Sequence, residues 1–333
     1  MKIDTMQALV LHEPGCLSLQ EVPVPEPGPG EVLLRVMAAT TCGTDLKAYL
    51  RGHPQIPMPG VFGHEYAGVV HAIGEGAPFQ VGDEVMGVHS APCQDCSWCQ
   101  AGQENLCEHI MRTKVLGAYA EFLLIPKHIA RLNLFHKPAS LSNTRACLLE
   151  PLACVAHGIS MLKTHITDRV LILGPGAIGL MFAAAFRAMG IPDVSLAGRN
   201  KARLDVGELF GARPLAWDDL QGDYNIVIEC TGRVDVWERS LEFVRRGGQL
   251  MLFGGCPSGT SARFDTHRVH YDQISIISPF HFGTQAVRRA KDWLEDISLP
   301  FDHLISGDRE LSESLGVFED LKRGVGIKYA LRP

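Results

Sequence analysis

The stretch RVLILGPGAIGLMFAAAFRAMG, residues 169–190, decides the fold of this chain. After Arg169, residues 170–173 form an apolar run typical of a buried strand, and the Ala-, Met- and Phe-rich run after Gly179 indicates a helix. Between them, Gly174, Gly176 and Gly179 form the pattern G-x-G-x-x-G. After a strand and before a helix, this pattern is a dinucleotide-binding fingerprint. The alternative is a glycine-rich turn in an α/β domain without a ligand.

Each glycine of the fingerprint has a physical role. Gly174 permits a tight turn, Gly176 lets the backbone approach a pyrophosphate, and Gly179 allows close packing of helix on strand. The N-terminus of the following helix faces the phosphate charge. Ala177 and Ile178, which complete this turn, are therefore also expected to contact a dinucleotide.

Further strands and helices alternate after this stretch, which predicts βαβ units and a parallel sheet. Before residue 150, short apolar runs separated by Gly and Pro predict a compact β-rich unit. We therefore expect an α/β protein with a dinucleotide-binding domain over residues 151–280. Residues 1–150 and 281–333 form the second domain, which closes with a helix at 285–297 and a strand at 326–333.

The composition narrows the possible functions. The 333 residues are 46% hydrophobic and 20% charged, with a formal net charge of −6, as in an ordinary globular protein. This mild acidity argues against a nucleic-acid binder, which usually carries a strongly basic face. No apolar stretch reaches the ~18 residues of a membrane span, and the first residues lack a signal-peptide pattern. We expect a cytoplasmic protein that does not contact a membrane.

Four of the ten cysteines lie in the segment CQDCSWCQAGQENLC. Cys93, Cys96, Cys99 and Cys107 follow the spacing C-x2-C-x2-C-x7-C, which can surround one zinc ion tetrahedrally. Because all four positions would be filled, such a site is structural. An iron–sulfur cluster is the alternative, since thiolates alone do not exclude it.

A second set of side chains with metal-binding chemistry is spread along the chain. Its members are Cys42, Thr44 and Asp45 in CGTD, His64 and Glu65 in GHEYAG, and Glu150 in LEPLACVAHG. Each segment alone is a weak signal. Together they offer one thiolate, one imidazole and one or two carboxylates, and three protein ligands with an open position are the pattern of a catalytic zinc.

These motifs occur in the order and spacing of the zinc-containing medium-chain dehydrogenases. The chain resembles the sorbitol/threonine dehydrogenase branch of the alcohol dehydrogenase superfamily from end to end. The resemblance implies a GroES-like catalytic domain, with a structural-zinc lobe at about 90–110, and a Rossmann cofactor domain. It also implies that Cys42, His64 and Glu150 hold the catalytic zinc, with Cys154 as the alternative third ligand.

The resemblance assigns roles to further residues. Glu65 is expected to be an inner or outer ligand that exchanges with water, and Asp45 to orient His64 through its second ring nitrogen. Thr44 is expected to take the hydroxyl proton of the substrate. Relatives often end this relay with a histidine, but here the position is Lys47, which we expect to contact a cofactor phosphate. His53 is then a candidate for the last relay step.

The end of the second Rossmann strand bears on cofactor choice. Asp193 has the spacing of an acid that binds the ribose 2′-hydroxyl, but it lies at the wrong end of the strand. Gly198 occupies the place where an NAD-preferring relative carries Asp, and Arg199 and Arg203 follow it. Losing the carboxylate removes repulsion of a 2′-phosphate, and an arginine supplies a bidentate partner. We therefore predict that NADP(H) is preferred over NAD(H).

The complete set of expected cofactor contacts is larger than the glycine loop. It comprises Gly174, Gly176, Ala177, Ile178, Gly179, Gly198, Arg199, Asn200, Arg203, Thr231, Phe253 and Gly254, the last three by resemblance.

The sequence thus predicts an oxidoreductase with one catalytic and one structural zinc ion per chain. It would transfer hydride between NADP(H) and a secondary alcohol such as a polyol, cyclitol or sugar-like compound, and form a homodimer or homotetramer. One alternative is a threonine-type amino-alcohol dehydrogenase that uses NAD(H). Another is a non-catalytic relative stabilised by zinc.

Overall fold

The computed structural model describes residues 3–333, which form two compact units. The first unit contains residues 3–153, 282–295 and 305–333, and the second contains residues 154–281 and 296–304. Residues 296–304, which the sequence analysis placed with the β-rich domain, thus pack with the second unit. No helix within residues 3–333 has the length and apolar character needed to cross a membrane.

The second unit is built on a six-stranded parallel sheet, with strands β9 (Arg169–Leu173), β10 (Asp193–Gly198), β11 (Arg213–Ala216), β12 (Tyr224–Glu229), β13 (Val244–Leu252) and β14 (Ser275–Ile277). Their order in the sheet is β11-β10-β9-β12-β13-β14. The strand order reverses direction at β9, the first strand of the unit. In sheets of this kind, ligands bind beyond the carboxyl ends of the strands at such a switch point.

Helices connect these strands as the alternating sequence pattern predicts. They are α6 (Ala177–Ala188), α7 (Lys201–Leu209), α8 (Val234–Ser240) and α9 (Thr266–Tyr271), with 3-10 turns at Trp217–Asp219, Leu241–Phe243 and Phe301–Leu304. Eight consecutive residues of α6, from Gly179 to Phe186, are buried. A helix that is apolar on all sides belongs inside a protein, which explains why α6 lies beside the central strand β9.

The first unit consists mainly of antiparallel strands. They are β1 (Thr5–Glu13), β2 (Cys16–Pro23), β3 (Val32–Thr40), β4 (Gly60–Val61), β5 (Tyr66–Ile73), β6 (Glu84–Gly87), β7 (Phe122–Ile125), β8 (Leu134–His136), β15 (Ile305–Glu310) and β16 (Lys328–Arg332). One sheet has the order β2-β1-β4, and the other has the order β15-β16-β3-β5-β6-β8, with β7 also pairing with β3. The predicted closing strand is β16, and it joins the sheet by pairing with β3.

Helices and 3-10 turns connect the strands of the first unit. They are α1 (Gly43–Arg51), α2 (Ser97–Gln100), α3 (Lys127–Leu132), α4 (Asn143–Ala146), α5 (Leu149–Ser160, which continues into the second unit), α10 (Thr284–Glu295) and α11 (Ser314–Lys322), with 3-10 turns at Glu104–Leu106 and Leu311–Glu313. An aromatic cluster anchors the core: the ring of Phe62 lies 5.0 Å from Tyr119 and 5.7 Å from Phe318.

The first prediction concerns the glycine fingerprint. A methyl group on Gly179 would lie 2.1 Å from the Gly174 carbonyl oxygen, so Gly179→Ala must displace the turn. We expect a loss of about 1–3 kcal/mol in the free energy of unfolding, measured by denaturant titration. Gly176→Ala is the matched control, because no atom lies within 4 Å of its added methyl group, and we expect a loss below about 1 kcal/mol. Equal losses in the two variants would contradict this account.

Candidate metal centre and cofactor loop

Cys42 lies at the N-terminus of α1, directly after the end of β3. Its Sγ accepts the Thr44 backbone N–H at 3.4 Å, and its own N–H donates to Oδ2 of Asp45 at 3.2 Å. These contacts are those of a helix cap, in which side chains satisfy the first N–H groups of the helix. The cap therefore fixes the position of the thiol by local structure alone.

Asp45 connects this cap to His64. Its Oδ1 lies 3.3 Å from Nδ1 of His64, and its Oδ2 accepts a 2.6 Å hydrogen bond from the Tyr119 hydroxyl. Asp45 is fully buried and His64 is nearly so. An acid beside Nδ1 holds the proton on that nitrogen and leaves Nε2 available as a ligand, which is the usual arrangement for a metal-binding histidine.

The electrostatics of this group favour a cation. Burial acts to raise the pKa of Asp45, but the charge and hydrogen bond of His64 hold that pKa below its ordinary value. Burial likewise opposes a charge on His64, yet Asp45 and Cys42 raise the pKa of that imidazole well above its ordinary value. A buried site that is negative enough to retain a proton is also suited to a divalent metal ion.

Glu65 lies beside His64 and is held from the other side by Lys328. The Lys328 ammonium is 2.7 Å from Oε2 and 2.8 Å from Oε1 of Glu65, and it also donates to the Thr41 carbonyl oxygen at 2.6 Å. The Thr40 hydroxyl donates to the same carboxylate. Burial raises the pKa of Glu65 to about 7, an effect that Lys328 opposes. This carboxylate is thus fixed in place.

The structure brings three of the expected ligands together. The ligand atoms of Cys42, His64 and Glu65 all lie within 4.8 Å of one another. Glu150, the expected third ligand, is not in this group; its Oε1 lies 3.2 Å from Nδ1 of His89. Cys154 lies on α5 and is likewise outside the group.

Three other residues of the expected relay lie on α1 or just beyond it. Thr44 is in the first turn of α1 and Lys47 in the second. His53 follows the helix and is partly buried, and its Nδ1 accepts the Gln55 N–H at 3.2 Å. Burial, together with the charge of Lys47, lowers the pKa of His53.

The four-cysteine segment forms a second group of ligands. The Sγ atoms of Cys93, Cys96, Cys99 and Cys107 lie within 4.8 Å of one another. Backbone N–H groups point at them: Cys96 N–H donates to Cys93 Sγ at 3.3 Å, and His109 N–H donates to Cys107 Sγ at 3.4 Å. The N–H groups of Cys99 and Glu108 lower the pKa of the Cys96 thiol to about 6. Such donors stabilise thiolates, the form that binds a metal.

In the second unit, the glycines of the fingerprint have the geometry that their roles require. Gly174 has a φ of +112°, a conformation that side chains disfavour. Gly176 is the N-cap of α6, and space around it is open. Ala177 and Ile178 form the first turn of α6, where backbone N–H groups without helix partners can donate to a phosphate.

A residue with a side chain would not fit at Gly198, the last residue of β10, without a shift of its neighbours. Gly198 is buried, and a Cβ atom on it would lie 2.3 Å from Cδ and 2.6 Å from Cγ of Pro175, inside the glycine loop. Asp193, at the start of the same strand, pairs with Arg169, with Oδ2 at 3.3 Å from Nε. The last residues of β10, Leu196 to Gly198, thus include no acid.

The cations after Gly198 have different environments. The Arg199 side chain is exposed, and its guanidinium lies 5.7 Å from the centre of the Trp217 ring. Lys201 is paired with Asp205 at 2.8 Å. Asn200 caps α7 by accepting the Arg203 N–H at 3.2 Å, so Arg203 follows directly in the first turn of α7. Within residues 3–333, the Arg199 guanidinium makes no hydrogen bond or ion pair, so its N–H groups can donate to a ligand.

A buried carboxylate organises the loops after β12 and β13. Glu229 Oε1 accepts the Thr231 N–H at 2.6 Å and the Gly232 N–H at 3.1 Å. Its carbonyl oxygen accepts the N–H groups of Phe253 and Gly254, both at 2.9 Å. The expected cofactor residues of these two loops thus share one anchor.

The sequence analysis did not identify His89, Lys328, Tyr119 or Pro175. The first three are distant in sequence from the residues they contact, and only the fold brings them together. The last lies inside the quoted motif, but its contact with Gly198 depends on the pairing of β9 with β10.

The second prediction concerns the buried pair of Lys328 and Glu65. Lys328→Met leaves Glu65 buried without its counterion, so we expect a loss of about 3–5 kcal/mol in the free energy of unfolding. Lys322→Met is the control, because Lys322 forms an exposed pair with Glu319 at 3.2 Å and should cost at most about 1 kcal/mol. Urea titration of both variants measures the difference. A Lys328 variant as stable as the control would show that the pair contributes little.

Comparison with known proteins agrees with this geometry. Residues 28–134 match the family model of the alcohol dehydrogenase GroES-like domain, and residues 177–296 match that of the zinc-binding dehydrogenases. An L-threonine 3-dehydrogenase of Coxiella burnetii is 33% identical over 87% of this chain and 86% of its own length. A sorbitol dehydrogenase of Halalkalibacterium halodurans is 29% identical over 98% of this chain and 99% of its own length.

A solved structure is similar over its whole length. A Sinorhizobium meliloti protein described as a zinc-binding dehydrogenase, solved with NADP bound, is 27% identical with a TM-score of 0.89, covering 99% of each chain. The predicted α/β architecture, with its GroES-like and Rossmann parts, is confirmed. The chain belongs to the zinc-binding medium-chain branch of the alcohol dehydrogenase superfamily and is a dehydrogenase.

Proposed function

We propose that this dehydrogenase is zinc-dependent and transfers hydride between a secondary alcohol, of polyol, cyclitol or sugar-like type, and NADP(H). The observation that carries this proposal is the convergence of Cys42, His64 and Glu65, with Asp45 behind the imidazole. The similarity to sorbitol dehydrogenase supports the class of alcohol. The NADP-bound structural relative supports the cofactor.

The residues present fit a catalytic zinc ion. A thiol, an imidazole with Nε2 available, and a nearby carboxylate are three ligands of the kinds that zinc prefers. We assign Cys42 and His64 as two of these ligands. A bound zinc ion supplies a Lewis acid that lowers the pKa of the alcohol hydroxyl.

Two carboxylates compete for the third position. Glu65 is in the group, but Lys328 and Thr40 already hold its oxygens. Glu150 is buried and close enough for its charge to raise the pKa of Glu65, while His89 holds one of its oxygens. We propose Glu65 as the third ligand in the geometry observed here and Glu150 as the acid that can replace it.

The proton of the alcohol must leave the site. We assign this step to the hydroxyl of Thr44, which lies two residues from Cys42 in the same helix cap. A bound nicotinamide would supply the hydride acceptor at its C4, and the Thr44 hydroxyl would pass the proton of the alcohol out of the site. Lys47, one helical turn further on, is assigned to a cofactor phosphate.

The four cysteines of residues 93–107 fit a structural zinc ion. Four thiols converge and backbone N–H groups surround them, so no position is open to a substrate. Such a site contributes folding free energy to its lobe.

The end of β10 supports NADP(H). An NAD-binding acid at residue 198 would collide with the Pro175 ring, so the loop itself excludes this carboxylate. Arg199, beside it, offers planar donors that match a phosphate. Asn200 and Arg203 complete the group at the start of α7.

A second candidate is an amino-alcohol dehydrogenase of the threonine type. The similarity to L-threonine 3-dehydrogenase favours it. The two candidates differ in cofactor, because we expect the threonine-type dehydrogenase to use NAD(H). A comparison of L-threonine with polyols as substrates decides between them.

The third prediction concerns the cofactor. We expect the wild-type protein to have at least a tenfold higher kcat/KM for NADP⁺ than for NAD⁺, and Arg199→Ala to lose about 10–100-fold with NADP⁺ alone. Lys201→Ala is the control, because Asp205 already neutralises the Lys201 ammonium. In this variant the ratio of kcat/KM for NADP⁺ to kcat/KM for NAD⁺ should stay within about twofold of the wild-type ratio.

Two further variants test whether the Pro175 ring excludes an acid at residue 198. Gly198→Asp alone should destabilise the fold, whereas Pro175→Ala with Gly198→Asp should restore stability and shift preference towards NAD⁺. Steady-state kinetics and thermal unfolding measure both effects. Equal use of the two cofactors by the wild-type protein would refute the proposed preference.

The fourth prediction concerns the structural site. Cys96→Ser should lose one zinc ion per chain and unfold the lobe at lower temperature, because the closed site loses a ligand. Cys16→Ser is the control, since Cys16 is exposed and outside both ligand groups. Zinc analysis and Tm measure the effect. Loss of turnover in Cys96→Ser with unchanged zinc and Tm would overturn the assignment.

A further inference from the structure

A second polar cluster in the first unit is not used by the proposed chemistry. The Lys114 ammonium donates to Oε1 of Gln55 at 2.9 Å, and the backbone N–H of Gln55 donates to Nδ1 of His53 at 3.2 Å. Gln55 thus links the two basic side chains. We call these three residues the Lys114 cluster.

Both basic side chains keep donors for a ligand. Because Nδ1 of His53 accepts a hydrogen bond, its neutral imidazole carries the proton on Nε2 and can donate it. The Lys114 ammonium has three donors, and Gln55 accepts from it. Within residues 3–333, neither side chain has a carboxylate within ion-pair distance.

The Lys114 ammonium is also partly withdrawn from water. The side chain is half-buried, and this burial lowers the pKa of Lys114. A partly desolvated cation beside a neutral amide is less stable than one that faces an anion. An anion beside this ammonium would therefore stabilise its charged form.

The cluster lies next to the candidate metal centre. The residue after Lys114 is Val115, whose N–H donates to the carbonyl oxygen of His89 at 2.7 Å. The His89 ring in turn lies 5.1 Å from the ring of His64. The chain segment of Lys114 is thus connected through one residue to an assigned zinc ligand.

One charge effect agrees with this placement. Burial lowers the pKa of His53, and the charge of Asp45, the partner of His64, acts in the opposite direction. His53 therefore lies within electrostatic reach of the residue that orients His64.

We infer that Lys114 and His53 bind an anionic group, a carboxylate or a phosphate, on the alcohol substrate. This inference rests on the proposed function and narrows its substrate class from neutral polyols to hydroxy acids or sugar phosphates. The ammonium supplies a point charge for the anion, and the Nε2–H of His53 supplies a directed donor. The anion is not changed in the reaction and only orients the alcohol.

The cofactor is the other source of phosphate in this enzyme. Lys47 and Arg51 also lower the pKa of His53, and Lys47 is assigned to a cofactor phosphate. Lys114 differs because it comes from another segment, the one that pairs with His89. If substitution of Lys114 changes KM for the substrate but not KM for NADP⁺, the anion that Lys114 binds belongs to the substrate and not to the cofactor.

The test compares sorbitol, gluconate and sorbitol 6-phosphate as probes of the wild-type holoenzyme and of Lys114→Gln. With NADP⁺, at least one of the charged probes should have a kcat/KM about tenfold or more above that of sorbitol. Lys114→Gln should remove this advantage by raising KM for that probe about 10–100-fold. Its KM for NADP⁺ and its kcat/KM for sorbitol should stay within about threefold.

Two control variants and two further measurements keep the result interpretable. Lys114→Arg should retain most of the preference because it keeps the charge, and Lys163→Gln, an exposed lysine of the second unit, should behave as the wild type. Calorimetry of gluconate and sorbitol 6-phosphate with the NADPH complex measures binding without turnover. Thermal unfolding of each variant shows whether it is folded, and His53→Asn, with a smaller KM effect, replaces Lys114→Gln if that variant is not.

The inference is overturned if neither charged probe binds or is preferred, or if Lys114→Gln leaves their KM unchanged. It is also overturned if this variant raises KM for NADP⁺ alone, because the cluster would then belong to the cofactor. The proposed function fails separately: in that case neither the three probes nor 2-butanol reduces NADP⁺. Oxidation of sorbitol without preference for a charged probe would leave the proposed function intact and reject only the inference.

Discussion

The chemistry proposed for this protein depends on one buried carboxylate. Asp45 accepts the N–H of Cys42, accepts the hydroxyl of Tyr119 and faces Nδ1 of His64. A single side chain thereby holds the thiol and the imidazole in one place, although they are 22 positions apart in the sequence. A buried acid would ordinarily prefer to be neutral, and its three partners offset that cost. The result is a negative site that is ready for a cation before one binds.

A second constraint acts at the cofactor loop, and it is steric. The Pro175 ring occupies the space that any side chain at residue 198 would need, so the position stays glycine and uncharged. In the proposed preference for NADP(H), two effects act together: Pro175 excludes an acid at residue 198, and Arg199 would attract the 2′-phosphate. Specificity that combines these two effects is harder to reverse by a single substitution than attraction alone.

Much of this molecule could be predicted from the sequence, for reasons that are local. The turn at Gly174–Gly179 and the four-cysteine loop are contiguous segments whose geometry follows from their own spacing. The pairing of Glu150 with His89, and that of Glu65 with Lys328, could not be predicted. These partners are 61 and 263 positions apart, and only the packing of strands and helices brings them together. For the same reason the resemblance implied both Glu150 and an exchangeable Glu65 as zinc ligands, whereas the structure groups Glu65 with Cys42 and His64 and pairs Glu150 with His89.

The central claim is that the two groups of ligands hold two zinc ions with different roles. Anomalous diffraction at the zinc edge from crystals of the zinc-loaded protein tests it most directly. The account predicts two peaks per chain: one bounded by the four cysteine sulfurs, and one within bonding distance of Cys42 Sγ and His64 Nε2. A single peak at the four cysteines, with none between Cys42 and His64 in fully loaded protein, would contradict the account.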